Sequence, residues 1–238
     1  IDVVLGQTIA ISPSEVEQKL VGSGRGGYCF EQNQLLASAL LTLGYDVVPM
    51  LCRVRWNKKP DEHTTFTHVA LAVKLGGEGS ADGGTARTYL ADVGFAGTNS
   101  IAPVLLGSDE TQALPEGSFR TVSNDATGYT TLQWQIKDSW RDLYMFREEE
   151  CPSIDLELAN WWSCTHPKGR FCQQFFAARV VGEERHHILN DAYNIRKADG
   201  STVSTPIADK AQLEGLLSGV FGITLPAQTD GIDRFLKP

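Results

Sequence analysis

Apolar residues in the first part of the chain recur at helical spacing. Residues 14–20 read as a short helix opened by Ser12 or Ser14 as its N-cap. A glycine-rich turn, Gly22 to Gly27, follows, and a second helix is predicted from about Cys29 to Leu43. Leu35, Leu36, Ala39, Leu40 and Leu43 fall three and four apart, and Gly44 supplies a good stop. Beyond Gly44 the pattern becomes that of strands, at 46–56, 67–75, 88–93, 117–122, 130–136 and 141–146, divided by Gly, Pro, Asn and Asp turns. Antiparallel strands in such a run predict a small barrel or a strongly curled sheet. From Ser153 the texture mixes again: a helix at 155–162, strands at 171–181 and 186–196, and an amphipathic helix at 210–221.

Composition narrows the class. With 238 residues, 42% of them hydrophobic, the chain can bury a substantial core and does not have the composition of a disordered protein. Apolar stretches such as 37–43 are far too short to span a membrane, so no membrane partner is expected. A formal charge of −8 argues against general nucleic-acid binding, which needs a basic face, though a local basic pocket could still hold a small phosphorylated ligand. The five cysteines, at 29, 52, 151, 164 and 172, form no CxxC pair and suit a reducing, cytoplasmic setting. No basic region followed by an apolar run marks a secretory signal, and the chain begins at Ile1 rather than Met.

The chemistry centres on Cys29. A nucleophilic cysteine needs a lowered pKa, commonly supplied by a helix N-terminus and a nearby histidine. Cys29 stands where the glycine turn becomes a helix, and Gly26 and Gly27 before it carry no side chain to block a substrate. By position alone, a small buried residue opening a core helix is the plainer reading. His68 and Asp92 shift the balance. His68 heads the run His-Val-Ala-Leu-Ala-Val, and Asp92 ends Thr-Tyr-Leu-Ala-Asp. If these strands form a hairpin centred near residue 80, the two residues face each other with Cβ atoms roughly 5 Å apart. The carboxylate would then fix the imidazole, and the ring would take the Cys29 proton. An ordinary edge histidine and a turn aspartate are the alternative.

The residues now resemble a known family. Arg-Gly-Gly-Tyr-Cys-Phe-Glu-Gln-Asn (25–33), Thr-His-Val-Ala-Leu (67–71) and Ala-Asp-Val-Gly-Phe (91–95) are similar to three signature blocks of the arylamine N-acetyltransferases. The likeness continues through Arg53-Val-Arg-Trp56 and Thr165-His-Pro-Lys-Gly-Arg-Phe171, covering nearly the whole chain. It implies an α+β fold around a cysteine-protease-like Cys-His-Asp core. Its three parts would be a helical domain at 1–45 whose earlier helices are either absent or lost from this numbering, a β-barrel at 46–152, and an α/β lid at 153–238. It also implies ping-pong transfer of an acetyl group from acetyl-CoA to an arylamine or hydrazine through a Cys29 thioester, with His68 and Asp92 completing the triad. Acetyl-CoA would be a substrate; no tightly bound cofactor and no metal are implied, and a homo-oligomer is left open. Trp56, Thr67, Phe95 and Phe171 would line the acyl-CoA or acceptor pocket, and Arg25 and Glu31 would form a supporting pair. Two departures from the family pattern stand out: a longer His68-to-Asp92 gap with a glycine-rich tip at 76–84, and Ala96 where Gly is common.

Other signals carry less. Gly22-Ser-Gly24-Arg-Gly-Gly27 matches a dinucleotide fingerprint literally but follows a helix rather than a strand. His186 and His187 point to opposite faces of a strand and have no third ligand at a suitable spacing. Arg53, Arg55, Lys58 and Lys59, and Lys168 with Arg170, read as solvated loop charge or, alternatively, as contacts for CoA phosphates. Trp161 and Trp162 read as core or lid aromatics. An amide synthase of the same fold acting on a carrier-bound acyl chain, a Cys-His-Asp hydrolase and an inactive binding module remain as rival functions.

Overall fold

The computed structural model describes residues 1–76, 85–95, 97–98, 100, 102–197 and 200–236. The tip at 77–84 and Ala96 lie outside the described residues. Helix α1 (Pro13–Glu17) starts at Ser12 with Pro13 in its first turn, where a missing N–H costs nothing. It runs into one wider helical turn over Gln18–Gly22. Helix α2 (Cys29–Thr42) begins when Tyr28 takes an extended backbone and its N–H donates to Glu31 Oε2 at 3.1 Å. It ends where Gly44 adopts φ +87° and the Tyr45 N–H reaches back to the Leu40 carbonyl.

Eight strands follow. They are β1 (Asp46–Val54), β2 (Phe66–Leu75), β3 (Arg87–Ala91), β4 (Val104–Leu105), β5 (Gln112–Leu114), β6 (Gly117–Asn124), β7 (Tyr129–Ile136) and β8 (Ser139–Phe146). They form one antiparallel sheet in the order β4-β3-β2-β1-β8-β7-β6-β5. The short edge strands β4 and β5 were not foreseen, and they complete the barrel. The Gln112 side-chain amide on β5 accepts from the Leu105 N–H of β4 at 2.8 Å and donates to the Leu105 carbonyl at 2.9 Å. One side chain thus bridges the two edges in place of a ladder bond. Met50, Cys52, Ala70, Ala72, Leu90, Phe119, Leu132, Trp134, Tyr144 and Phe146 fill the core, following the period-two alternation of their strands.

Helices α3 (Ser153–Thr165) and α4 (Arg170–Gln173) lead to a second antiparallel sheet, β12-β11-β10-β9, made of β9 (Phe176–Val181), β10 (Glu184–Leu189), β11 (Ala192–Arg196) and β12 (Thr202–Pro206). The single strand expected at 186–196 is a hairpin, because Asn190 turns the chain at φ +53°. The strand expected from 171 begins only at Phe176, after α4. Helix α5 (Lys210–Gly219) covers one face, where Leu213, Leu217 and Phe221 pack with Ile188 and Ala177; Val4 and Ile232 join the same cluster. Two basic residues read as loop charge are structural. Arg55 is buried and donates to the carbonyls of Lys59, Pro60 and Glu62, while Arg53 donates to Thr64 and Tyr129 and lies over the Phe66 ring. Trp161 is half exposed rather than core, and Trp162 stacks on His166. Among the described residues no helix is long and apolar enough to cross a membrane.

Candidate active site

Cys29 is the first residue of α2, buried, with its Sγ 3.7 Å from the Thr67 carbonyl. Helix starts leave backbone N–H groups unpaired, so this position concentrates positive potential at the sulfur. His68, next to Thr67 at the start of β2, lies close enough to Cys29 for that side chain to help raise its pKa. Its Nε2 lies 2.8 Å from Asp92 Oδ2. The three residues expected from sequence therefore come together, with the side chains of His68 and Asp92 both buried.

Their meeting follows a different register from the one expected. Leu71 pairs with Ala91 and Ala72 with Leu90, so the next step along puts Asp92 level with Ala70 rather than His68. Asp92 is a diagonal neighbour, two positions along from His68. An even displacement keeps the same face of the sheet, and a diagonal pair is within reach of long side chains. Asp92 also lies just beyond the last paired residue of β3, so it can turn toward the imidazole.

A dense set of hydrogen bonds holds the carboxylate. Asp92 Oδ1 accepts from Asn33 Nδ2 at 2.9 Å and from the Gly94 N–H at 2.8 Å. Asn33 Nδ2 also donates to the Val69 carbonyl at 2.7 Å, and its Oδ1 accepts from the Val93 N–H at 3.0 Å. Asn33 is four residues after Cys29 on the same face of α2, so one helix presents the sulfur and ties down the aspartate. Asn33 went unassigned in the sequence reading; its i+4 spacing from Cys29 was the available signal. Gly94 was missed as well. A Cβ there would sit 2.5 Å from Cys29 Cα and 2.8 Å from Asn33 Nδ2, so only glycine permits this approach.

Burial alone would lower the His68 pKa, but the Asp92 charge and the hydrogen bonds to Asp92 and Cys29 prevail and raise it to about 10. Burial alone would raise Asp92, yet His68, Asn33 and the Gly94 N–H hold it below the usual carboxylate range. Aromatic rings seal the pair. Phe95 lies 4.9 Å from the His68 ring and Tyr144 4.7 Å from it, and the two pack against each other at 5.0 Å.

The other expected pocket residues are distributed around this centre. Thr67 contributes its backbone carbonyl, and Phe95 borders His68 directly. Phe171, on α4, meets Tyr28 edge-on at 5.3 Å, and Trp56 joins the barrel cluster that holds Tyr144. Arg25 and Glu31 do not pair with each other. Arg25 binds Asp2, Asp2 is 2.7 Å from Lys19, and Lys19 binds Glu31, so two further residues link Arg25 to Glu31 behind Cys29. Tyr28 adds a tie to α3 by donating its hydroxyl to Asn160 Oδ1.

A buried cysteine at a helix start, beside a histidine that an aspartate orients, has the parts that nucleophilic catalysis needs. A family model described as N-acetyltransferase matches residues 1–229. The arylamine N-acetyltransferase of Mycobacterium tuberculosis is 34% identical over 227 residues, covering 94% of this chain and 77% of that protein. The Escherichia coli enzyme of the same name is 30% identical over 224 residues, covering 94% and 75%. Among solved structures, the M. smegmatis arylamine N-acetyltransferase matches with a TM-score of 0.89 at 30% identity, covering 98% of this chain and 83% of that one. The M. marinum enzyme in complex with CoA matches with a TM-score of 0.85 at 29% identity, covering 99% and 82%. The chain belongs to the arylamine N-acetyltransferase family and is an acetyltransferase.

Proposed function

We propose that this protein transfers an acetyl group from acetyl-CoA to the amine of an arylamine or hydrazine through a thioester on Cys29. The observation that carries this reading is the His68–Asp92 pair beside Cys29, which stands at the start of α2 with its Sγ 3.7 Å from the Thr67 carbonyl. In the first half-reaction His68 holds the Cys29 proton while the sulfur attacks the thioester carbonyl. The tetrahedral intermediate collapses, CoA sulfur leaves, and the proton passes to it. In the second half-reaction the amine attacks the Cys29 thioester, His68 takes a proton from the amine nitrogen, and Cys29 is released. Asp92 keeps the imidazole oriented throughout and balances its charge.

We assign Trp56, Thr67, Phe95 and Phe171 to the wall of the donor and acceptor pocket, on the strength of their places around His68 and Tyr28. The working division is 1–45 for the nucleophile, 46–152 for the base and its aspartate, and 153–238 for the lid. A reducing, cytoplasmic setting is supported by the five cysteines, all free.

The relatives support the substrates. One from Salmonella typhimurium, 29% identical, is named for both arylamine N-acetylation and N-hydroxyarylamine O-acetylation. Initial rates measured against acetyl-CoA at several fixed arylamine concentrations test the proposal. Parallel double-reciprocal lines are expected, since one cysteine is loaded before it is unloaded. Intersecting lines would point to direct attack within a ternary complex. Acyl loss to water at the same rate with and without amine would favour the hydrolase reading.

A further inference from the structure

The lid sheet has two faces of opposite character. Ile188 of β10 and Tyr193 of β11 are paired and belong to the apolar cluster under α5. Alternation puts Arg185 and Arg196, a directly opposed pair on the same two strands, on the other face. That face meets the barrel: the Arg185 guanidinium carbon lies 5.4 Å, and that of Arg196 5.7 Å, from the ring centroid of Trp134 on β7. Gly117, at φ +132°, leaves room for this ring, since a Cβ there would sit 3.0 Å from Trp134 Nε1.

Two like charges opposite each other across a ladder repel, and here they do so with little water to screen them. Arg185 is only 5% exposed. Neither of its terminal nitrogens, Nη1 and Nη2, has a hydrogen-bond partner, and Nη1 of Arg196 lacks one too. Burial pulls the pKa of each guanidinium down, and the charge of Glu116, between β5 and β6, favours the charged form of Arg185. His187, on the same face, is pushed toward its neutral form by burial and then by Arg196. A structure that carries buried, unpaired guanidinium N–H groups side by side is stabilised by an anion able to accept from several of them.

The site lies at the chemically active end of the barrel. Leu132 pairs with Tyr144, whose ring touches His68; Trp134 is the next inward residue along β7. Val54, the end of β1, also pairs with Tyr144, and the chain there leaves for Trp56, at the same end where β2 begins two residues before His68. We propose that Arg185 and Arg196, backed by Trp134, form an oxyanion-binding site at the seam between lid sheet and barrel, which takes a phosphate or carboxylate group carried by one of the two reactants. Arg is suited to the task, since its planar fork binds such groups through paired N–H donors. The reactants supply the chemistry if acyl transfer from CoA is the reaction: CoA carries phosphates, and an arylamine can carry a ring carboxylate.

The first test needs no catalysis. Thermal unfolding is followed in sodium phosphate and in sodium chloride at matched ionic strength. Phosphate should raise the Tm in a saturable way in the unaltered protein and not in Arg185→Gln. No advantage of phosphate over chloride, or an equal advantage in the variant, overturns the site. The second test measures equilibrium binding to Cys29→Ala, which cannot be acylated, with and without Arg185→Gln. The probes are CoA, 4-aminobenzoate and the neutral 4-methylaniline. Loss of a charge-assisted pair should weaken either CoA or 4-aminobenzoate by about tenfold or more, leaving 4-methylaniline unchanged. Weaker CoA binding identifies a phosphate source, and weaker 4-aminobenzoate binding a carboxylate source. All three unchanged overturns the proposal. Arg196→Gln serves in both tests should Arg185→Gln fail to fold. The phosphate-dependent Tm does not depend on the acyl-transfer reading, so the two ideas can fail separately.

Discussion

Gly94 is the position where a single added carbon should do the most damage to chemistry relative to stability. The loop that leaves β3 passes directly over the start of α2, and a Cβ on residue 94 would lie 2.5 Å from Cys29 Cα and 2.9 Å from Cys29 Cβ. Ordinary carbon contacts lie at about 3.5–4.0 Å, so loop and helix must separate by roughly 1 Å. The nearest obstacle is backbone, which cannot swing aside as a side chain would. Overpacking of this kind costs about 1–3 kcal/mol, which for a chain of this size lowers the Tm by about 2–12 °C. Activity should suffer more. The displacement acts at Cys29 and on the Gly94 N–H that supports Asp92, and an error of about 1 Å in a catalytic site costs about 10²-fold in rate. The assay is the initial rate of CoA release with acetyl-CoA and an arylamine, alongside far-ultraviolet circular dichroism to establish folding. Gly97→Ala is the control. It lies in the same loop with open space around it, so it pays only left-handed backbone strain at φ +86° and should keep activity within a few-fold, about what strain away from the chemistry allows. A folded Gly94→Ala that retains the activity of Gly97→Ala would refute the close-approach argument.

Asp92→Asn should fold, since Asn33 and the Gly94 N–H still bond the remaining oxygen, while kcat falls by about 10²–10⁴-fold for want of an acceptor for His68 Nε2; an activity within tenfold would remove Asp92 from the mechanism. The His68–Asp92 pair also makes stability depend on pH. Burial opposes the charged imidazole, but Asp92 and Cys29 raise its pKa from 6.5 to about 10, so its contribution is full below pH 6.5 and drains as pH climbs through 10. Asp92, held below 3.8, contributes above that value and loses its contribution in acid. The Tm should therefore decline from pH 6.5 to 10, and the decline should be shallower in His68→Gln; identical slopes would count against the ion pair. Gly215→Ala, at an exposed interior position of α5 with nothing near the new carbon, should stabilise by up to about 1 kcal/mol and raise the Tm by about 2–4 °C; a lower Tm would show that α5 is not a regular helix there.

Much of the site was legible because its chemistry is written in short local runs. Cys29 announces itself by sitting between a glycine turn and a helical pattern, and His68 and Asp92 by standing at the ends of two strand-like runs. The register between those strands was off by two positions, since the turn that joins them has no sequence signal that fixes its centre. The parity of the face survived, so Asp92 still meets His68. Asn33 and Tyr144 were not legible for another reason. A buried amide on a helix and a tyrosine on a strand look ordinary until their partners from distant elements arrive. The same holds for Arg25 and Glu31, which are joined through Asp2 and Lys19 rather than directly. In the second sheet, Asn190-Asp191 was a turn signal passed over within a run read as one strand. The edge strands β4 and β5 are two and three residues long, below the length at which alternation can be read, and a side-chain amide rather than a pattern joins them.

Covalent loading of Cys29 decides the central claim. The protein is mixed with acetyl-CoA, and its intact mass is measured before and after an arylamine is added, in parallel with Cys29→Ala. The mass should rise by one acetyl group, return to its starting value when the amine arrives, and stay constant throughout in the variant. An acetyl group that persists in the presence of amine, or that appears equally in Cys29→Ala, would contradict transfer through this cysteine.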